Sequence, residues 1–67
     1  MSMKIRYFTD TDTVYIEFRE AVVAETHDLG EDAVIDLDVD GVICAITLEH
    51  ASARAGFPNI SIEHVAA

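Results

Sequence analysis

An Asp-Gly pair, Asp40-Gly41, lies between two alternating apolar runs in the stretch AVIDLDVDGVICAITLE, residues 33–49. Asp-Gly between such runs is a strong hairpin signal, because a two-residue type I′ turn needs positive φ at both central positions. This turn would place Ile35 opposite Ile46 on a wholly apolar face. The pairs on that face would be Val39 with Val42, Leu37 with Cys44, Ile35 with Ile46 and Ala33 with Leu48. A slip by one residue would mix the two faces, so we predict this register.

The first part of the chain predicts another hairpin. Alternating runs occupy residues 3–8 and 14–18, and residues 9–12 between them, Thr-Asp-Thr-Asp, are turn formers. A four-residue loop would pair Tyr7 with Val14, whereas a five-residue loop would shift that register. The four-residue loop also pairs Ile5 with Ile16 and Met3 with Phe18 on the apolar face, and Arg6 with Tyr15 and Lys4 with Glu17 on the other. We therefore expect the four-residue loop.

The remaining segments carry weaker signals. Residues 21–26 are rich in Val and Thr and predict a third strand, and residues 28–32 predict a loop. A short helical turn is expected over residues 51–55, because Gly56 and Pro58 follow as stop signals. Beyond it, residues 59–65 hold Ile60 and Ile62 in alternation with polar residues. We expect a last strand there, with a short helix opened by Asn59 or Ser61 as the alternative.

Together these segments predict a mainly β fold on the border of α+β. The expected architecture is a small antiparallel sheet of two β-hairpins with a short connecting strand and a short C-terminal helical turn. The chain has 67 residues, so we expect one small domain over residues 1–67. A domain of this size buries only about 60% of the surface that its unfolded chain exposes and is marginally stable alone.

The charge balance restricts the possible partners. Thirteen acidic residues oppose four basic ones, for a formal net charge of −9. Because no basic stripe is available to neutralise phosphates, we expect neither direct nucleic-acid binding nor docking on a membrane. An acidic surface keeps a protein soluble and favours a basic protein partner. No signal-peptide core or membrane-spanning run is visible, so a soluble cytoplasmic protein is expected. The single cysteine, Cys44, is expected to be a buried apolar residue.

One motif resembles a calcium-binding loop. Asp36, Asp38, Asp40 and Gly41 spell D-x-D-x-D-G, the opening of an EF-hand loop. The bidentate glutamate of such a loop would fall at Thr47, and the flanking residues predict strands rather than helices. We therefore interpret the three aspartates as a solvated acidic hairpin and only as weak metal candidates.

The other polar residues give no catalytic pattern. The histidines, His27, His50 and His64, lack any metal-ligand spacing. Glu49-His50 places a carboxylate beside an imidazole, which makes this pair a further weak metal candidate. Ser52 has no nucleophile-elbow glycines and is expected to cap or turn the chain. No catalytic residue and no cofactor is therefore predicted.

Taken as a set, these motifs resemble the short prokaryotic proteins grouped as a domain of unknown function, DUF2283. Members look like M-K-I-x-Y, an acidic loop, Y-I-x-F, E-T, I-D-x-D-x-D-G and a final A-S. The matching segments here are residues 3–7, Asp12, residues 15–18, Glu25-Thr26, residues 35–41 and Ala51-Ser52. The resemblance covers residues 3–53 and departs from the pattern at Phe8, Ala45 and His50. It implies no established activity, although some members look as if they travel with small ribonuclease-like toxins.

Three functional hypotheses follow. The first is an uncharacterised, non-catalytic interaction module that forms a homodimer or a higher homo-oligomer. The second, suggested by the resemblance and by the charge, is an antitoxin-like acidic partner that neutralises a basic ribonuclease-type toxin. The third, from the enzyme class, would use His50, Glu49 and Asp36 around a metal ion. We expect the first.

Overall fold

In the computed structural model, which describes residues 3–66, five antiparallel strands form one open sheet. The strands are β1 (Lys4–Phe8), β2 (Thr13–Glu17), β3 (Glu25–Asp28), β4 (Ala33–Leu37) and β5 (Ile43–Glu49), followed by the helix α1 (Ala51–Ala55). Their order across the sheet is β1-β2-β5-β4-β3. This mainly β architecture confirms the predicted fold class. None of the helices in the described part of the chain is long and apolar enough to cross a membrane.

The first hairpin has the predicted register. Tyr7 pairs with Val14 and Ile5 with Ile16, so residues 9–12 form the four-residue loop. The polar face pairs Arg6 with Tyr15 and Lys4 with Glu17. The register is set by the alternation of side chains, since a shift of one residue would turn Ile5 and Tyr7 to the polar face.

The second hairpin has the predicted register over most of its length, but its turn differs. Ile35 pairs with Ile46 and Ala33 with Leu48, as expected. The prediction of a type I′ turn was wrong. Such a turn needs positive φ at both central residues, and Gly41 has a φ of 77° whereas Asp40 has no positive φ. The Gly41 N–H donates to the Asp38 carbonyl at 3.0 Å. This is a three-residue loop, a type I turn followed by a left-handed glycine.

The longer loop explains a second correction. With a three-residue loop, β5 has one residue more than the Ile35–Ile46 register allows. Cys44 is this extra residue, and it forms a β-bulge between Ile43 and Ala45. Leu37 consequently pairs with Ile43 rather than with Cys44. Val39 is likewise not opposite Val42, since the Asp38 N–H bonds to the Val42 carbonyl at 2.9 Å. Cys44 is buried, at 2% exposed, as predicted.

Two further predictions need correction. The third strand occupies Glu25–Asp28 rather than residues 21–26, because β3 pairs only where β4 lies opposite, from Glu25 with Leu37 to Asp28 with Val34. Residues 59–65 form neither the expected strand nor the alternative helix. This C-terminal tail has no strand beside it, and an isolated strand cannot satisfy its backbone hydrogen bonds.

The helix was predicted correctly, and it covers only one end of the apolar face. Each row of that face crosses several strands. The row at the helix end contains Tyr7, Val14, Leu48 and Ala33, and the next row contains Ile5, Ile16, Ile46 and Ile35. Val14 is fully buried, as is Ala51 at the start of α1. The second row, which we call the isoleucine row, is only half-buried even on the central strands, and Ile5 at its edge is exposed.

We expect Gly41→Val to destabilise the protein by about 1–2 kcal/mol, because a β-branched residue is strained at positive φ. A Cβ at this position would meet no atom within 4 Å, so the cost is conformational rather than steric. Urea denaturation measures the change. Gly41→Asn serves as the control and should lose less, since Asn tolerates the left-handed region. Equal losses for the two variants would contradict this assignment.

Candidate functional site

The densest group of polar contacts joins the β1–β2 loop to the start of α1. The Asp12 carboxylate accepts hydrogen bonds from the Tyr7 hydroxyl at 2.5 Å and from the Ser52 hydroxyl at 2.6 Å. It also accepts the Ser52 backbone N–H at 3.0 Å, while the Asp12 carbonyl accepts the Ala51 N–H at 2.9 Å. We call Tyr7, Asp12 and Ser52 the Asp12 junction. It holds together segments that are 40 residues apart in sequence.

The backbone prepares Asp12 for this role. Its φ of 54° lies in the left-handed region, which Asp tolerates better than most residues. The helix needs the carboxylate because its N-cap residue, His50, also has positive φ and makes no side-chain cap hydrogen bond. An N-terminal helical N–H without a partner within the helix is normally satisfied by a nearby side-chain oxygen. Asp12 supplies that oxygen from another hairpin.

The electrostatics of the junction follow from these bonds. Donation by the Ser52 and Tyr7 hydroxyls lowers the pKa of Asp12 below its usual value. The hydrogen bond to this carboxylate also raises the pKa of the Tyr7 hydroxyl. At neutral pH the junction therefore consists of a charged acceptor and two neutral hydroxyl donors.

A second acidic residue, Asp32, holds the other side of the helix start. One carboxylate oxygen lies 2.8 Å from Nδ1 of His50, and the other binds the Arg54 guanidinium. The hydrogen bond from His50 is the main cause that lowers the pKa of Asp32, helped by the charge of Arg54. The Asp32 carbonyl accepts the Glu49 N–H at 2.7 Å. We call Asp32, His50 and Arg54 the Asp32 cluster.

The Asp32 cluster borders an open pocket of about 320 Å³. The lining residues are Leu29, Glu31, Asp32, Ala33, Leu48 and Arg54. Because Arg54 belongs to α1 and Leu48 to the row that contains Val14, the helix lies beside this end of the apolar face. The guanidinium that borders the pocket is already held by Asp32, so the pocket presents a neutralised ion pair beside leucine side chains.

The arrangement does not bring Ser52 and His50 together as a nucleophile and a base. The Ser52 hydroxyl donates to Asp12, whereas Nδ1 of His50 bonds to Asp32. A serine nucleophile needs its base within hydrogen-bond reach. The contacts of both residues instead fix the position of α1. The expectation that Ser52 caps the chain was wrong, because the N-cap residue is His50 and the Ser52 hydroxyl donates to Asp12.

The interpretation of the D-x-D-x-D-G aspartates as a solvated hairpin was wrong for Asp38, and the three residues lie in different environments. Asp38 is buried, and one oxygen accepts the N–H groups of Asp40 and Val42, at 2.9 and 3.0 Å. Its other oxygen lies 3.3 Å from the Arg19 guanidinium. The bond from the Val42 N–H is the main cause that lowers the pKa of Asp38. Asp38 thus shapes the turn.

The remaining metal candidates do not converge. Asp36 accepts the Thr26 hydroxyl at 2.9 Å across β3 and β4, and Asp40 is exposed at the turn. Glu49 is exposed at the opposite end of β5, beside His50. Among residues 3–66, no three His, Cys, Asp or Glu side chains are grouped as metal ligands would be.

The protein is a small single-sheet protein in which the distant Asp12 carboxylate holds the start of α1. The family model described as "Protein of unknown function (DUF2283)" matches residues 4–52. Because this match covers well over half of the chain, the protein belongs to that family, as the motifs suggested. A search of curated proteins and a search of solved structures each returned no match.

Sequence reasoning found each member of the Asp12 junction but not their contact. Tyr7, Asp12 and Ser52 all lie in segments that carry the resemblance, and each was assigned a local role as a strand, loop or capping residue. Their meeting depends on the pairing of β2 with β5, which brings Thr13 opposite Glu49. One sequence feature could have predicted this contact. Asp12 lies just before β2 and Ser52 just after β5, and these two strand ends are neighbours in the sheet.

We expect Asp12→Asn to lower the midpoint of thermal unfolding at pH 7 by several degrees. Asn retains the left-handed backbone but removes the charge from three hydrogen bonds. The folded pKa of Asp12 is depressed, so its contribution is complete above the ordinary value of 3.8 and is lost as the pH falls below it. The difference between wild type and variant should therefore shrink between pH 5 and pH 2. A difference that is independent of pH would contradict this role.

Calcium should leave stability unchanged, because the Asp38 oxygens are bound to backbone N–H groups and to Arg19. Thermal melts with and without 1 mM calcium test this. A site with a dissociation constant near 10 μM would add about 2.7 kcal/mol and raise the midpoint by several degrees. Magnesium at the same concentration controls for ionic strength. A rise specific to calcium would restore the D-x-D-x-D-G motif as a binding loop.

Proposed function

We propose that the protein is a homo-oligomeric interaction module with a binding rather than a catalytic role. The observation that supports this is its large surface. The chain exposes 5161 Å², whereas a compact monomer of 7.4 kDa is expected to expose about 4200 Å². The excess of about 950 Å² is similar to the roughly 800 Å² that one partner contributes to a standard interface.

The apolar side of the sheet accounts for part of this excess. The sheet is one layer, and α1 is too short to cover more than the row that contains Val14. The isoleucine row and the residues beyond it stay accessible, including Phe18 at 40% and Ile43 at 42%. A single sheet is stable when its apolar face packs against another layer. A second copy would supply that layer, as in the packing of two sheets face to face.

Self-association must overcome the charge of the chain. Each copy carries a net charge of −9, so two copies repel one another at low ionic strength. The repulsion is screened over about 8 Å at physiological salt, while burial of apolar surface does not depend on charge. In a two-fold dimer every apolar contact occurs twice, which favours a symmetric pair.

We expect sedimentation equilibrium at micromolar concentration and about 0.15 M salt to give twice the mass of one chain. The dimer should weaken as the salt is lowered, because the screening of the like charges is lost. A single-chain mass with no dependence on concentration would refute the proposal.

A matched pair of variants locates the interface. Ile35→Thr and Val34→Thr change half-buried neighbours on opposite faces of β4. Replacing the ethyl group of each interface isoleucine by a hydroxyl removes apolar surface and costs about 1 kcal/mol or more per copy, so Ile35→Thr should raise the dimer dissociation constant at least about tenfold. Val34→Thr should leave it unchanged. Equal effects would show that the apolar face is not the contact.

The second candidate is an antitoxin-like acidic partner of a basic ribonuclease-type protein. It is favoured by the distribution of charge, since most carboxylates are exposed. The exposed acidic residues are Asp10, Glu20, Glu25, Asp28, Glu31, Asp40, Glu49 and Glu63. A reading frame for a small basic protein beside the gene would support this role. Inhibition of that protein's ribonuclease activity by the purified chain, relieved at high salt, would establish it.

A further inference from the structure

The two edges of the sheet differ in charge and in shape. β3 at one edge has four exposed residues, Glu-Thr-His-Asp, and acidic groups at both ends. β1 at the other edge carries Lys4 and Arg6 on one face and Ile5 and Tyr7 on the other. Such an unpaired edge is a template for another extended segment. The β1 edge suits a segment that alternates between apolar and acidic side chains.

The positive charge of β1 is unusual in this chain. Of the four basic residues, Arg19 and Arg54 are bound to Asp38 and Asp32 within the chain. The other two, Lys4 and Arg6, are exposed side by side on β1. The β1 edge therefore carries the two basic side chains that form no ion pair within the described residues, although Glu17 lies opposite Lys4 on β2, and these cations would attract an acidic segment.

The C-terminal tail, residues 59–65, matches the apolar part of this pattern and carries one acidic residue, Glu63. Ile60 and Ile62 alternate with Ser61 and Glu63, and the two isoleucines are 54% and 79% exposed. The family match ends at residue 52, so the tail is an extension beyond the matched region. Burial of the two isoleucines against a partner surface would be favourable.

We propose that the tail of one copy pairs antiparallel with the β1 edge of a second copy, which rests on the self-association proposed above. In this register Ile62 lies opposite Ile5 and Ile60 opposite Tyr7, so the tail extends the apolar face. Glu63 lies opposite Lys4 on the polar face. Cross-strand pairs of these two kinds stabilise neighbouring strands.

Exchange between copies agrees with the path of the chain after α1. The Phe57 ring lies 5.9 Å from the Tyr7 ring, so the tail begins near the end of its own β1. The Asn59 N–H then donates to the Gly56 carbonyl at 3.0 Å and forms a turn. After this turn residues 59–66 have no secondary structure, and Val65 is 76% exposed. The tail is thus presented to another molecule while the β1 edge stays open.

Cysteine cross-linking of the full chain tests the exchange. Chains carrying Lys4→Cys are mixed with chains carrying Glu63→Cys, and the mixture is oxidised gently. The native Cys44 is buried and stays in both. As a matched control, Thr26→Cys on the exposed β3 edge replaces Lys4→Cys. Intact-mass analysis separates mixed disulfide dimers from dimers of a single variant.

We expect the Lys4→Cys and Glu63→Cys mixture to form mixed dimers at least about tenfold faster than the control, since paired strands hold the thiols at an effective concentration on the order of millimolar. Equal rates would overturn the tail exchange. If sedimentation still gave a dimer in that case, the self-association would stand and only the tail assignment would fall. A monomer would overturn both.

A chain carrying both Lys4→Cys and Glu63→Cys separates exchange from closure onto the same chain. Exchange predicts disulfide-linked dimers, whereas a tail that folds back onto its own β1 would give an internal disulfide and a monomeric product. A predominantly internal disulfide would overturn the proposal.

Discussion

The pairing of β2 with β5 is the interaction on which the rest of the structure depends. Each half of the chain forms a hairpin from neighbouring segments, and among the five described strands this is the one ladder that joins the halves. It aligns Ile16 with Ile46 and Val14 with Leu48, so the apolar faces of both hairpins become one surface. It also brings the loop after β1 next to the helix after β5. The Asp12 junction can form only because these two strand ends are neighbours.

The Asp12 junction compensates for a helix that is too short to be stable alone. An isolated helix of five residues cannot offset the cost of forming its first turn. Here the N–H groups of Ala51 and Ser52 are bound by one aspartate, and Asp32 holds His50 and Arg54 from the other side. Both carboxylates have lowered pKa values, so both hold their contacts as anions. Asp12 and Asp32 therefore stabilise the fold, although the chain has a large excess of acidic residues.

Local patterns predicted the hairpins because alternation and turn formers act over a few residues. The registers of Tyr7 with Val14 and of Ile35 with Ile46 followed from side-chain sorting together with the expected loops, and in the second hairpin the bulge at Cys44 keeps that register despite the longer loop. The turn type did not, because the Asp38 side chain binds two backbone N–H groups and stabilises a three-residue loop. The bounds of β3 were also predicted incorrectly, since they depend on which residues of β4 lie opposite. The Asp12 junction was beyond local reasoning, because residues 40 positions apart are joined only by the sheet.

The distribution of the few cations bears on the self-association proposed for so acidic a chain. Two arginines are used within the chain, against Asp38 and Asp32, and they neutralise two of its most constrained carboxylates. The other two cations lie on the edge strand β1, where the isoleucine row reaches solvent at Ile5. Apolar surface and positive charge therefore coincide at one edge. The contact proposed at that edge would bury isoleucine side chains and set an acidic residue against a basic one, so it would also reduce the repulsion that opposes association.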